Sequence, residues 1–184
     1  MRKFPKGSEI LMTGINIPDM IQIIKEHGLV PIPIDYNIDT MAVNNWNDIK
    51  EATNEKTKAI LFAYLYGVKF DISPIVPFCK EKGIEILEDV AESFTGPKDN
   101  GTDGATLTMF SFGAIKIQTC IYGGIGIIRD DEKLWNDMKA IQDTYPLFTP
   151  QMYRKRIYQI IVFYYLINTQ RGNRMFDVAA KLSG

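Results

Sequence analysis

The run Ile84-Glu85-Ile86-Leu87-Glu88-Asp89 decides the reading of this chain, together with Leu107-Thr108-Met109-Phe110-Ser111-Phe112 and the Gly113-Ala114-Ile115-Lys116 that follows it. The first is a short apolar run closing on acids, which reads as a buried strand with a carboxylate at its end. The second is an apolar strand ending in a hydroxyl. Lys116 then lies between that strand end and the glycine-rich turn Tyr122-Gly123-Gly124-Ile125-Gly126. A strand end with a hydroxyl, a lysine and flexible backbone can hold a phosphate and offer an amine to a carbonyl. The ordinary alternative is a solvated loop lysine, because most lysines are exposed.

Outward from these strands the segments alternate in type. Ile10 to Met12 is a short strand. Pro18 opens a helix through His27, with Gly28 ending it. Leu29 to Ile34 is a strand whose Pro31 and Pro33 would cost ladder hydrogen bonds, which places it at an edge. Asn45 to Glu51 is weakly helical, Lys58 to Leu65 a buried strand, Ile72 to Lys82 a helix closed by Gly83. Ile84 to Glu88, Thr106 to Phe112 and Gly124 to Ile128 complete the strands, and helix follows from Asp131. Helices alternating with continuous apolar strands predict an α/β fold: three layers, α/β/α, around a mostly parallel sheet. Such sheets bind ligands outside the carboxyl ends of their strands, where Asp89 sits.

Bulk properties narrow the functions. A net charge of −1 over 184 residues gives no electrostatic reason to bind nucleic acid. Cys79 and Cys120 are far apart without metal-ligand spacing, so a reduced, cytoplasmic protein and no metal site are expected. His27 is the sole histidine and ends a helix, which argues against a Ser-His triad or a histidine metal centre. Gly123-Gly124-Ile125-Gly126 has neither the spacing nor the place of a dinucleotide loop. The longest apolar run, Ile160 to Ile167, is far short of a membrane span. Arg154, Lys155 and Arg156 beside Ile157, Ile160, Ile161 and Tyr164 read as a helix packed on a domain or second subunit. A basic amphipathic helix on a membrane surface is the minor alternative.

Glu88-Asp89-Val90-Ala91-Glu92-Ser93, Phe110-Ser111-Phe112 with Lys116, and Gly123-Gly124 together resemble the core of the DegT/DnrJ/StrS aminotransferases. These are pyridoxal-phosphate enzymes, many of which aminate keto sugars. The likeness runs from about Gly7 through Met138 and includes Gly7-Ser8-Glu9-Ile10, Lys58-Ala59-Ile60-Leu61, Leu65-Tyr66-Gly67 and Asp71-Ile72. It implies residues 1–138 as a partial large domain and residues 139–184 as a helical extension.

The resemblance implies pyridoxal 5'-phosphate as cofactor, with Lys116 as its Schiff-base amine and proton carrier. It implies Asp89 as the anion facing the pyridine nitrogen and Ser111 as a phosphate contact. Glu92 falls where relatives often place glutamine or histidine against the ring. Ile15-Asn16-Ile17 occupies the stretch where relatives carry a stacking aromatic, and Tyr64 stands where many have histidine. Asp89 has a plain alternative as a helix cap, Ser111 as a strand-end hydroxyl bonded to backbone. The expected function is amino transfer from an amino acid to a keto sugar or cyclitol, in a homodimer. Relatives are about twice as long, so a fragment and a reduced relative are both open. A non-catalytic dimerisation or binding module is the alternative function.

Overall fold

The computed structural model describes residue 1, residues 3–169 and residue 174. It divides into two compact units, Met1–Met138 and Lys139–Gly184; of the expected helical extension, residues 170–173 and 175–184 lie outside the described residues.

In the first unit β1 (Glu9–Thr13) leads into α1 (Pro18–Glu26). Pro18 occupies a position whose N–H would have no helical partner. Asp19 in the first turn and Lys25 in the last complement the helix dipole. β2 (Val30–Ile34) carries Pro31 and Pro33 and lies at the sheet edge, as those missing donors require. A small antiparallel pair, β3 (Tyr36–Asn37) and β4 (Ala42–Val43), was not foreseen. Its turn is built by a side chain, since Asn37 Oδ1 accepts from the Asp39 and Thr40 amides. α2 (Trp46–Ala52) is capped by Asn45, whose side chain accepts from the Asn47 amide.

After β5 (Thr57–Ala63) the single helix expected from Ile72 to Lys82 is two elements. A 3₁₀ turn, Ser73–Ile75, precedes α3 (Val76–Lys82), and each carries a proline at its second position, Pro74 and Pro77. Proline can open a helical turn but cannot continue one, so the break falls between them. Gly83 at φ 64° closes α3 in the left-handed region. β6 (Glu85–Asp89), β7 (Leu107–Ser111) and β8 (Gly124–Ile128) follow. α4 (Glu132–Gln142) starts where Asp131 Oδ1 accepts the Leu134 amide at 2.8 Å.

The sheet order is β2-β1-β5-β6-β7-β8, parallel except for β8. The chain steps from β1 outward to β2 and returns to β5 on the other side of β1. That reversal opens a crevice at the carboxyl edge. Strand alternation splits the core. Ile10, Met12, Leu61 and Leu87 pack with Ile24 of α1 on one face. Leu11, Ile60, Phe62 and Ile86 pack with Ile49 of α2 and Cys79 of α3 on the other. Each fully buried Ile or Leu contributes about 1.5–3 kcal/mol.

Into this second core also goes Glu88, fully buried. Its carboxylate accepts from Tyr64 Oη (2.8 Å), the Thr102 amide (2.9 Å), Thr102 Oγ1 (2.7 Å) and Thr108 Oγ1 (2.6 Å). Arg129 Nη1 donates to Thr108 Oγ1 at 2.9 Å. Burial, then the Glu88 charge, push the Tyr64 phenol well above its ordinary range, so it remains a donor. Gly101 closes over this cluster at φ 78°; a Cβ there would lie 2.2 Å from Thr108 Oγ1 and 2.6 Å from Glu88 Oε2. Gly101→Ala should therefore lower the urea midpoint by an amount equivalent to about 3 kcal/mol or more. A loss under about 1 kcal/mol would show that this loop does not close on Glu88.

In the second unit α5 (Pro150–Asn168) is capped by Thr149, whose hydroxyl accepts from the Met152 amide at 3.3 Å. It buries none of its side chains. Among the described residues no helix is long and apolar enough to cross a membrane, and no cluster of His, Cys, Asp and Glu could hold a metal ion. Cys79 is a buried thiol.

Candidate functional site

Asp89 ends β6, paired with Ala63 of β5 and Met109 of β7. Alternation sends it to the face opposite Glu88, the face of Leu87 and Met109. Its Oδ1 accepts from the Ala91 amide at 3.0 Å, and a turn rather than a helix follows. Burial raises the Asp89 carboxyl above its ordinary value, opposed by the Ala91 N–H and the Lys116 charge and assisted by the Glu92 charge.

That shift is also a stability statement. A carboxyl raised on folding contributes stability below its unfolded pKa and loses it as pH rises through the folded one. At neutral pH the buried anion is a cost. Asp89→Asn keeps an oxygen for the Ala91 amide and removes the charge, so it should be at least as stable as wild type at neutral pH. The difference should vanish toward acid pH, read by thermal unfolding across pH; a variant clearly weaker at neutral pH would contradict this.

Ser111 ends β7 opposite Gly124 of β8. It is two residues beyond Met109, hence on the Asp89 face. The loop after it is drawn together by Phe112, whose carbonyl accepts from the Cys120 amide at 3.0 Å and whose amide donates to Gly123 O at 2.9 Å. Gly124 fits because the Phe110 carbonyl would lie 2.8 Å from any Cβ there. Within the loop the Lys116 amide donates to Gly113 O at 3.0 Å, a tight turn that folds the lysine back. A Cβ on Gly113 would meet Ser111 Oγ at 3.8 Å and Lys116 Cγ at 3.9 Å, so the hydroxyl and the lysine stem flank one small space.

Lys116 Nζ stands 3.9 Å from Glu92 Oε1, with its side chain only 21% exposed. Glu92 Oε2 accepts from the Tyr66 amide at 3.1 Å. Asp89, Glu92, Ser111 and Lys116 thus gather at one carboxyl edge, from two parallel strands and the loops that leave them.

The donor set suits pyridoxal phosphate: an amine, a half-buried carboxylate and a hydroxyl at one edge. A further free donor lies at the same edge. In the loop after β1, Asn16 Oδ1 accepts the Ile17 amide at 2.9 Å, while its Nδ2 is buried with no partner. Sequence reasoning registered Asn16 only as the lack of an aromatic, and it did not find the Tyr66 contact. A carboxylate three residues after Asp89, and thus able to face the same edge, was the available signal.

GDP-perosamine synthase of Escherichia coli O157:H7 is 31% identical over 134 residues, 71% of this chain and 36% of that protein. The chain therefore spans about a third of the length of that curated relative. E. coli GDP-4-keto-6-deoxy-D-mannose-3-dehydratase with bound hydrated PLP superposes at a TM-score of 0.63, with 26% identity, over 74% of this chain and 35% of that one. NtdA of Bacillus subtilis with bound cofactor PMP superposes at 0.62, with 28% identity, over 72% of this chain and 30% of that one. The model of the DegT/DnrJ/EryC1/StrS aminotransferase family matches residues 2–155, which include the strands that carry this edge. By its sheet, its sequence and the extent of that match, the chain belongs to the DegT/DnrJ/EryC1/StrS aminotransferase family.

Proposed function

We propose that this chain carries the cofactor-holding edge of a pyridoxal-phosphate aminotransferase that moves an amino group from an amino acid to a keto sugar or cyclitol. One observation supports this most: the Lys116 amine is folded back within 3.9 Å of Glu92 and close enough to Asp89 for its charge to act on that carboxyl. Residues 1–138 would be the cofactor-bearing large domain. When bound, pyridoxal phosphate supplies an aldehyde to receive the amine and a ring that accepts electrons from the substrate carbon.

The chain's own residues would do the rest. Asp89 would hold a proton at the pyridine nitrogen from its half-buried seat at the end of β6, between β5 and β7. Lys116 would supply the amine that holds the aldehyde and would carry a proton to and from the substrate carbon. Ser111 Oγ would donate to the phosphate.

The test is a titration of purified chain with PLP, followed by an amino acid donor such as glutamate. A visible band should appear and then fade as amine is loaded. Asp89→Asn should keep the band but lose about 10²–10⁴-fold in turnover, because a neutral amide cannot hold the ring proton. If Asp89→Asn turned over like wild type, Asp89 would not be the ring's partner. No band at millimolar PLP, with the chain shown folded by circular dichroism, would favour the non-catalytic binding module.

The reading extends to assembly. Beside the lysine, Ile115 is 92% exposed, with Ile117 and Tyr66 also largely exposed. Such an apolar rim is what a second copy would cover, so a homodimer is expected in sizing experiments. A monomer at high concentration would contradict it.

A further inference from the structure

We propose that Glu92 is a latch, which binds Lys116 and the Tyr66 turn at once and frees the lysine when its amine takes a carbonyl. The meaning of the latch rests on the function proposed above, but its test does not need the cofactor.

Each oxygen of Glu92 has its own task. Oε1 faces the Lys116 ammonium at 3.9 Å, and Oε2 accepts from the Tyr66 amide at 3.1 Å. That amide belongs to a tight turn, closed by the Val68 amide donating to Leu65 O at 2.9 Å. Both central residues have positive φ, 55° at Tyr66 and 81° at Gly67. Glycine adopts that conformation freely and tyrosine does not, so the turn needs an outside hold at Tyr66. The carboxylate provides one. The turn also packs on the lysine loop directly, because a Cβ on Gly67 would lie 3.5 Å from Ile117 Cδ1 and 4.0 Å from Glu92 O. Glu92 therefore joins two loops that leave different strands of the sheet.

The chemistry gives the latch a direction. For Lys116 to take a carbonyl, its ammonium must give up a proton to solvent, a C–N bond forms, and the carbonyl oxygen leaves as water. A nitrogen that takes a carbonyl no longer presents an ammonium to Glu92 Oε1, so the pairing is given up as the bond forms. Both side chains are partly exposed, 21% for Lys116 and 39% for Glu92, so the hold is weak enough to be displaced. A glutamine at this place would keep an oxygen for the Tyr66 amide and lose the grip on the amine. The charge and the hydrogen bond can thus be separated by substitution.

The experiment labels the cofactor-free full chain with trinitrobenzenesulfonate and reads each lysine by peptide mass spectrometry, with amide exchange at Tyr66 in parallel. Glu92→Gln and Glu92→Ala should both label about two- to fivefold faster at Lys116, the size of a partly exposed ion pair, and unchanged at Lys133. Tyr66 exchange should stay near wild type in Glu92→Gln and rise about tenfold in Glu92→Ala. A general loosening of the fold would move all lysines and both variants together, and would overturn the proposal. So would unchanged Lys116 labelling in both variants. If Glu92→Ala does not fold, Glu92→Gln decides alone. A PLP band without a labelling change would sink the latch and leave the cofactor reading standing; a labelling change without a band would do the reverse.

Discussion

Lys116→Ala is expected to abolish the visible band that PLP gives with the wild-type chain, and with it the mass that borohydride fixes on the Lys116 peptide. The loss should be complete, because the lysines paired around β6 and the loop after it are engaged elsewhere. Lys69 pairs with Asp99 at 2.6 Å. Lys3 pairs with Glu85 at 2.6 Å, at the opposite end of β6. Lys116→Arg is the sharper control. It keeps a cation for Glu92 but presents a guanidinium that stays protonated and cannot attack a carbonyl. It should lose the band as fully as alanine does. A borohydride-fixed band surviving in either variant would assign the amine to another lysine.

The largest loss of stability is expected behind the site. Glu88→Ala would leave Tyr64 Oη, the Thr102 amide and hydroxyl, and Thr108 Oγ1 without their shared acceptor. A buried donor left unpaired costs about 1–3 kcal/mol, and breaking a buried charged cluster about 3–5 kcal/mol. Typical domains have only about 5–15 kcal/mol in total, so this variant could fail to fold. Glu88→Gln keeps the volume and one acceptor oxygen while its NH₂ meets hydroxyls that can rotate to accept. A loss of about 1–2 kcal/mol is expected for it by urea unfolding. If both variants unfolded like wild type, the cluster would contribute nothing to the fold. The physical point is that Glu88 faces one core and its neighbour Asp89 the other, so one strand end both anchors the 95–104 loop and presents a carboxylate.

Much of this arrangement was legible in the chain. The apolar runs at Lys58 to Leu65 and Ile84 to Glu88 read as buried strands, and β5 and β6 lie at the centre of the sheet. The prolines at 31 and 33 marked an edge, because a residue without an N–H cannot serve a central ladder. Gly28 and Gly83 marked helix ends, since both adopt positive φ. The break between Ser73–Ile75 and α3 was missed, although Pro74 and Pro77 signalled it. The β3–β4 pair was missed because strands of two residues leave no period to detect.

The order of strands and helices, the edge position of β2, and the placing of Asp89 and Lys116 after strands were therefore determined by the sequence alone. They depend on local properties: apolar period, proline donors and glycine backbone freedom. The tertiary structure alone decided that Glu88 is buried among neutral donors, that Asn16 keeps a buried donor without a partner, and that Glu92 stands between Lys116 and the Tyr66 amide. Those facts join residues from different strands and loops, and no local pattern states which faces of distant segments will meet. They follow from the order in which β5, β6 and β7 pair, which places their carboxyl ends, and the loops that leave them, side by side.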